Sequence, residues 1–161
     1  VEYLKEQIKS GVDYVQIFES WASLLDREDY NNFVIEPNKY ISQEIKKFSV
    51  QTQIIHFPRG SGEKYLDFIE EVKCDVISID QSCPEEIIVK AIEKDLTVQG
   101  DLSPLSLLEG GEVLNNKTLE TLEKYKNNKH IFNLSHGILP KTPIENVKKT
   151  VNLVRNYEPT E

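Results

Sequence analysis

The sequence predicts an α/β fold in which a parallel sheet is covered by helices. Short runs rich in valine, isoleucine and aromatic residues alternate five times with segments of helical periodicity. Turn residues follow these runs, as is typical of strand ends. Five strand–helix units favour parallel pairing, because a parallel crossover needs room for a helix. Since no low-complexity linker interrupts them, residues 1–161 are expected to form a single domain.

The strands are the clearest elements of the pattern. The first alternates with period two, and the second runs into the turn Pro58-Arg59-Gly60-Ser61-Gly62. Strands are expected at residues 12–18, 53–57, 75–80, 96–100 and 130–134.

The helices between the strands carry recognisable start signals. Asp26 is expected to cap a helix of residues 27–47, in which Pro37 would produce a kink. Pro84 suits the first position of a helix, and Ser103 suits the cap of a short helix that begins at Pro104. Further helices are expected at the amino terminus and at residues 63–72, 84–94 and 117–126.

The last helix has the best-defined start. Thr142 and Glu145, three residues apart, predict a capping box, and the helix should run to about residue 157.

Composition excludes several classes of function. The formal net charge is −8, which argues against bulk binding to nucleic acid, and no run approaches the roughly 20 apolar residues needed to span a membrane. Cys74 and Cys83 are too few for a disulfide scaffold, so we expect free thiols and, without a visible signal peptide, a cytoplasmic protein. The chain has no methionine and opens within a helical pattern, which suggests a fragment of something longer, a processed product or a non-standard start.

Two architectures fit these elements. One is a complete five-stranded doubly wound domain, and the other is part of an eight-stranded barrel. Composition and periodicity do not choose between them. Both place ligand-binding groups at the carboxyl ends of the strands.

Polar residues follow every predicted strand and form the candidate site. They are Ser20, Arg59, Asp80, Asp101 and His136. Each also has a structural interpretation: Ser20 could cap the following segment, Asp80 could form a turn and Arg59 could be solvated. Asp101 would then belong to a plain turn, and His136 would be a hydrogen-bonded loop residue.

Other chemistries have weaker support. Ser20, His136 and Asp80 could be read as a hydrolase triad, but the Gly-x-Ser-x-Gly elbow is missing. No Gly-x-Gly-x-x-Gly follows a strand, and the glycines after Arg59 lack the lysine of a phosphate-binding loop. No metal site is predicted, because the remaining candidate ligands lie on different elements with unhelpful spacing. These ligands are His56, Cys74 and Cys83.

Four ordered motifs resemble the uroporphyrinogen decarboxylase family. Residues 11–22, Gly-Val-Asp-Tyr-Val-Gln-Ile-Phe-Glu-Ser-Trp-Ala, are similar to its Gly-Ala-x-x-x-Gln-x-Phe-Asp/Glu-Ser-x-Ala segment. Asp80 sits where the family has an aspartate after an apolar strand. Residues 99–104, Gln-Gly-Asp-Leu-Ser-Pro, resemble its Gln-Gly-Asn-Leu-Asp-Pro. Residues 133–140, Asn-Leu-Ser-His-Gly-Ile-Leu-Pro, resemble its Asn-Leu-Gly-His-Gly-Ile/Leu-x-Pro, and the likeness extends from about Leu4 to Tyr157.

The resemblance implies a partial (β/α)₈ TIM barrel, about the last five βα units. The first three strands would lie upstream in a missing N-terminal part. An arginine-rich motif, the aspartate that holds the pyrrole N–H groups and a tyrosine near the substrate would lie there too.

The resemblance also implies a reaction and site residues. The family removes the carboxylates of the four acetate arms of uroporphyrinogen, giving coproporphyrinogen, without a cofactor. By this likeness, Ser20 and His136 would contact substrate carboxylates and Phe18 would form a pocket wall. Asp80, Arg59 and Asp101 are further possible site residues.

The chain departs from the family pattern at three positions. Asp101 replaces an amide, Ser103 replaces an acid and Ser135 replaces the glycine before His136. A side chain at Ser135 would crowd the turn if its backbone needed a positive φ.

The substrate and the sheet edges suggest which partners to expect. The chain is acidic and the substrate has eight carboxylates, so positive groups would come mainly from the missing half. Open strand edges predict a homodimer or association with that half.

Two other functions stay open. One is a non-catalytic remnant that only associates with another chain. The other is a zinc-dependent cobamide methyltransferase relative, in which His56 would be a ligand, although Pro58 stands where that group has cysteine.

Overall fold

The computed structural model describes residues 1–159, which contain one five-stranded parallel sheet. All five predicted strands are confirmed, with ends displaced by at most two residues. The strands are β1 (Tyr14–Glu19), β2 (Gln53–Pro58), β3 (Val76–Ser78), β4 (Thr97–Leu102) and β5 (His130–Leu134).

The order of the strands decides between the two architectures. They lie side by side as β1-β2-β3-β4-β5, in the order of the chain. A doubly wound sheet reverses direction at a switch point, whereas a barrel adds each strand on the same side of the one before it. Right-handed crossovers then place the helices on one face. The sheet is therefore an arc of a barrel, with β1 and β5 at its two edges.

Eight α-helices accompany the sheet in the part of the chain that the structure describes. They are α1 (Glu2–Lys9), α2 (Arg27–Tyr30), α3 (Glu36–Phe48), α4 (Lys64–Glu71), α5 (Glu85–Glu93), α6 (Pro104–Glu109), α7 (Gly111–Lys124) and α8 (Ile144–Arg155). The predicted start of α7 at 117 was wrong by six residues. Gly110 has a φ of +74° and makes the sharp turn after α6, so that α7 begins directly after it.

The helix predicted at residues 27–47 is divided into two α-helices before Pro37. Asp26 caps α2 as predicted, accepting a hydrogen bond from the Asp29 N–H at 2.9 Å. A π-helical segment, Asn31–Ile35, then joins α2 to α3. Proline cannot donate the backbone hydrogen bond that continues an α-helix. The wider π turn, in which the Glu36 N–H donates to the Asn31 carbonyl, lies directly before it.

Two predicted helix starts are shifted by one residue. Pro84 has an extended ψ of 143° and is the cap of α5, not its first residue. Pro143 is also extended, with ψ of 135°, and caps α8, so the predicted capping box does not form. The Thr142 hydroxyl is buried without a partner, while Glu145 pairs with Lys148 at 3.0 Å. At the short helix α6, by contrast, Ser103 caps as predicted, at 3.3 Å from the Leu105 N–H.

The hydrophobic core lies between the sheet and the helices. Its largest cluster packs α4 and α5 against β3 and β4, and includes Tyr65, Phe68, Ile77, Ile88 and Val98. Smaller clusters lie beside β1 and β2 and beside β4 and β5. This packing covers the helix side of the sheet and leaves the strand ends available. Within the described residues, no helix is long and apolar enough to cross a membrane.

Candidate functional site

A cleft of about 380 Å³ lies at the carboxyl ends of the strands. It brings together four of the predicted site residues, each one or two positions past a strand end. These are Ser20 after β1, Arg59 after β2, Asp80 after β3 and His136 after β5. The rest of the lining consists of Trp21, Ser23, Leu24, Gly60, Gln81 and Ser82.

Three of these residues have a polar group without a partner in the described part of the chain. The Ser20 hydroxyl and the Arg59 guanidinium are exposed and have no hydrogen-bond or ion-pair partner there. His136 is half-buried, and its Nδ1 lies 3.0 Å from the Gly137 carbonyl oxygen. Because a carbonyl can only accept, Nδ1 carries a proton and Nε2 is left for a ligand. A hydroxyl, a guanidinium and an imidazole suit the binding of carboxylates.

Asp80 has a different role in the cleft. Its buried carboxylate accepts hydrogen bonds from the Gly60 N–H at 2.6 Å and from the Ser82 N–H and hydroxyl at 2.9 and 2.5 Å. Both oxygens are therefore engaged within the protein. The contacts match the turn-forming interpretation, in which Asp80 fixes the turn that carries Arg59.

Gly60 allows this turn to approach the segment after β1. Its φ is +75°, and a Cβ there would lie 2.8 Å from the Ser23 Cβ. Its N–H is bonded to Asp80, and the Gly62 N–H donates to the Ser82 hydroxyl at 3.2 Å. These amides are thus not free to hold a phosphate, which favours a plain turn.

Phe18 and Asp101 lie outside the cleft. Phe18 is 64% exposed and meets the Phe57 ring edge to face, with centroids 6.2 Å apart. Asp101 accepts hydrogen bonds from Lys124 at 2.9 Å and from the Tyr125 hydroxyl at 3.2 Å. Its carboxylate therefore already has a cation from its own chain.

Neither the hydrolase nor the zinc alternative matches these positions. Asp80 bonds to Gly60 and Ser82 and not to His136, so there is no Ser-His-Asp relay. His56 is fully buried on the helix side of β2, where its Nε2 lies 3.0 Å from the Ser42 hydroxyl. Burial lowers the pKa of His56 to about 4. The histidine that the methyltransferase alternative requires is therefore outside the cleft.

Gln81 is a cleft residue that the sequence motifs missed. Its side-chain amide donates a hydrogen bond to the Ser135 hydroxyl, linking the end of β3 to the turn before His136. The available signal was its position beside Asp80 at a strand end. Ser135 is fully buried, and Asp95 is the one non-glycine residue with positive φ in residues 1–159. The Ser135 backbone thus avoids the conformation that would have crowded the turn.

Comparison with known proteins decides the family. The family described as "Uroporphyrinogen decarboxylase (URO-D)" matches residues 1–157. The chain belongs to the uroporphyrinogen decarboxylase family. This match includes all four predicted cleft residues and confirms the likeness seen in the motifs.

Several curated uroporphyrinogen decarboxylases are similar over the whole chain. The enzyme of Rickettsia bellii (strain RML369-C) is 44% identical over 158 residues, which are 98% of this chain and 46% of the relative. That of Rickettsia massiliae (strain Mtu5) is 43% identical over 157 residues, 98% of this chain and 45% of the relative. That of Orientia tsutsugamushi (strain Ikeda) is 38% identical over 162 residues, 100% of this chain and 47% of the relative. The chain therefore spans about half the length of these decarboxylases.

Proposed function

We propose that this chain supplies the carboxyl-terminal five strand–helix units of a uroporphyrinogen decarboxylase. In this proposal, the strand-end cleft holds carboxylate arms of the substrate while an acetate carboxylate is removed. The observation that carries the proposal is the convergence on one cleft of the Ser20 hydroxyl, the Arg59 guanidinium and the His136 Nε2, none of which has a protein partner among the described residues.

Each of these residues has a role that its chemistry suggests. Arg59 supplies a fixed positive charge and can bind a carboxylate through two N–H groups. The Ser20 hydroxyl donates one hydrogen bond. His136 presents Nε2, which donates when the ring is protonated and then adds a second positive charge.

The reaction needs an electron sink and a proton source. A proton adds to a pyrrole carbon, and the cationic ring accepts the electron pair of the bond between the methylene and the carboxylate. CO₂ leaves, the methylene carbon takes up a proton, and the ring carbon releases the first one. Each acetate arm thus becomes a methyl group with a net uptake of one proton, and no cofactor is required.

The proposed site is incomplete within this chain. The substrate brings eight carboxylates and the chain has a net charge of −8, so their repulsion must be overcome by added positive groups. We propose that these groups, together with the aspartate that holds the pyrrole N–H groups, come from an N-terminal half. The chain alone should bind uroporphyrinogen poorly and decarboxylate it weakly or not at all.

Both edge strands of the arc, β1 and β5, are the proposed contacts with that half, and the β1 side carries exposed aromatic residues. Among residues 1–159, the exposed aromatic side chains lie in the first 48 positions: Tyr3, Tyr14, Phe18, Trp21, Phe33, Tyr40 and Phe48. Aromatic residues are enriched at protein interfaces, and β1 offers an unpaired edge beside them. In the alternative, a second copy of this chain covers the same surface and forms a homodimer. We place either assembly in the cytoplasm.

Joining the chain to the amino-terminal remainder of the Rickettsia bellii relative tests the function. The joined protein should convert uroporphyrinogen III to coproporphyrinogen III under anaerobic conditions, and the chain alone should form little or none. Substantial turnover by the chain alone would contradict the incomplete site. A folded joined protein without turnover would instead favour an association partner that lacks catalysis.

His136 provides the residue-level test in the joined protein. His136→Ala should lower turnover about 100-fold, a loss typical of a charge-stabilising donor, with a change of less than about 0.5 kcal/mol in the free energy of unfolding. Lys94→Ala, an exposed cation that precedes β4, is the control and should leave turnover unchanged. Equal losses of activity and stability would indicate a structural role for His136.

A further inference from the structure

Two consecutive side chains after β3 hold the two turns that carry Arg59 and His136. Asp80 binds the Gly60 N–H, next to Arg59. Gln81 donates to the Ser135 hydroxyl, next to His136. Because β4 lies between β3 and β5 in the sheet, the Gln81 side chain reaches across a whole strand end.

Ser135 is the point at which the His136 turn is attached to the rest of the sheet. It is fully buried, and its N–H donates to the Leu102 carbonyl of β4 at 2.9 Å. Its hydroxyl has Gln81 as its hydrogen-bond partner among residues 1–159. Without Gln81, a buried hydroxyl would lose that partner, which is unfavourable.

Beyond Ser135 the turn has few restraints. The His136 imidazole is bonded to the carbonyl of its own neighbour, Gly137. Gly137 is exposed, and a Cβ built on it would meet nothing within 4 Å. The orientation of His136 therefore depends on how firmly Ser135 is held.

We propose that the hydrogen bond between Gln81 and Ser135 positions His136 for a carboxylate ligand, so that both are positioning residues of the cleft. This inference rests on the proposed function for its ligand. Ser135, which departs from the family glycine, thereby gains a role that glycine could not have, since glycine has no hydroxyl to accept the bond.

The first arm of the test needs no ligand. Nuclear magnetic resonance relaxation of the full chain reports the order of the His136 amide and ring, with His56 and His130 as internal references. In Gln81→Ala and in Ser135→Ala, the order parameter of His136 should fall from about 0.85 to below about 0.6. The double variant should show no further fall, because both substitutions break one bond. Gln43→Ala, which removes an exposed amide on α3, is the control.

The second arm measures the affinity of the joined protein for uroporphyrin III, the stable oxidised octacarboxylate. Each single variant should weaken binding about tenfold, and the double variant also about tenfold rather than hundredfold. When His136 is already replaced by alanine, Gln81→Ala should not weaken the binding of uroporphyrin III any further. A general loss of structure would instead weaken binding in that background too. Ser135→Gly, the smallest change, provides a second variant if Gln81→Ala does not fold.

The two arms separate the inference from the function on which it rests. Unchanged order of His136 in the folded variants overturns the positioning role, whatever the affinity. Absence of uroporphyrin III binding to the chain and to the joined protein overturns the proposed function, while a fall in His136 order would still support the positioning role.

Discussion

The cleft and the helix side of the sheet contain the same kinds of polar residue. They differ in how many of the polar groups have hydrogen-bond partners within the protein. In the cleft, the Arg59 guanidinium and the His136 Nε2 have no partner among the described residues. On the helix side, His56 is bonded to Ser42, and Asp101 is bonded to Lys124 and Tyr125.

Burial explains this difference. A polar group that leaves water without a partner destabilises the folded protein, so groups under the helices are mostly paired inside it. Groups at the strand ends keep their contact with water until a ligand replaces it. The residues available for binding are thus identified by their missing partners as well as by their position. Three experiments test this difference.

The largest change in the free energy of unfolding is expected from His56 as the pH falls. Burial depresses its folded pKa to about 4, below the value near 6.5 in an unfolded chain, and its Nδ1 has no partner in the described structure. Between these values the unfolded state binds more protons, so stability is full above pH 6.5 and is lost as the pH falls toward 4. This one group should account for roughly 3 kcal/mol.

Urea unfolding at several pH values measures that contribution. His56→Gln should flatten the curve of unfolding free energy against pH over this window, relative to the unchanged chain. His130→Gln should act in the same direction, because burial also lowers the pKa of His130. Parallel curves for the chain and the His56 variant would contradict the prediction.

An intermediate effect is expected from Asp101. Asp101→Ala removes the acceptor of the Tyr125 hydroxyl and one of the two carboxylates that pair with Lys124, and should lower the unfolding free energy by about 1–3 kcal/mol. Asp101→Asn keeps an acceptor oxygen and should lower the unfolding free energy by less than Asp101→Ala does. Asp13→Ala, at an exposed carboxylate without a partner in residues 1–159, is the control for urea unfolding. If the cleft also lost affinity for uroporphyrin III, the two regions would not be independent.

The smallest effect on stability is expected from Arg59. Arg59→Gln should change the unfolding free energy by less than about 0.5 kcal/mol, because its guanidinium has no partner in the described chain. It should nevertheless weaken uroporphyrin III binding about tenfold, through loss of a charge-assisted hydrogen bond. Arg155→Gln removes an equal charge at the end of α8 and should leave affinity unchanged. Equal losses in both variants would mean that only net charge matters.

The parts of the fold that local chemistry determines were predicted from the sequence. Strand alternation gave all five strands, and the caps at Asp26 and Ser103 depend on residues two or three positions away. The four cleft residues followed from strand ends alone, since parallel strands end at the same edge of a sheet.

The remaining features depend on distant residues or on a single backbone angle. The capping box at Thr142 failed because Pro143 is extended and shifts the helix start by one position. Sequence alone cannot show that Lys124 and Tyr125 donate hydrogen bonds to the Asp101 carboxylate, which lies more than 20 positions away. The strand order likewise depends on packing across the whole chain.

The sequential order of the strands has a consequence for how the chain acquires its structure. Every strand pairs with its neighbours along the chain, so no pairing must wait for a segment made much later. Parallel pairing is slow because a whole helix separates the paired strands, and the sequential order keeps that separation as short as a parallel sheet allows. We expect β1 and β2 to pair while later units are still being synthesised, with each new unit adding to the free edge that the previous one leaves.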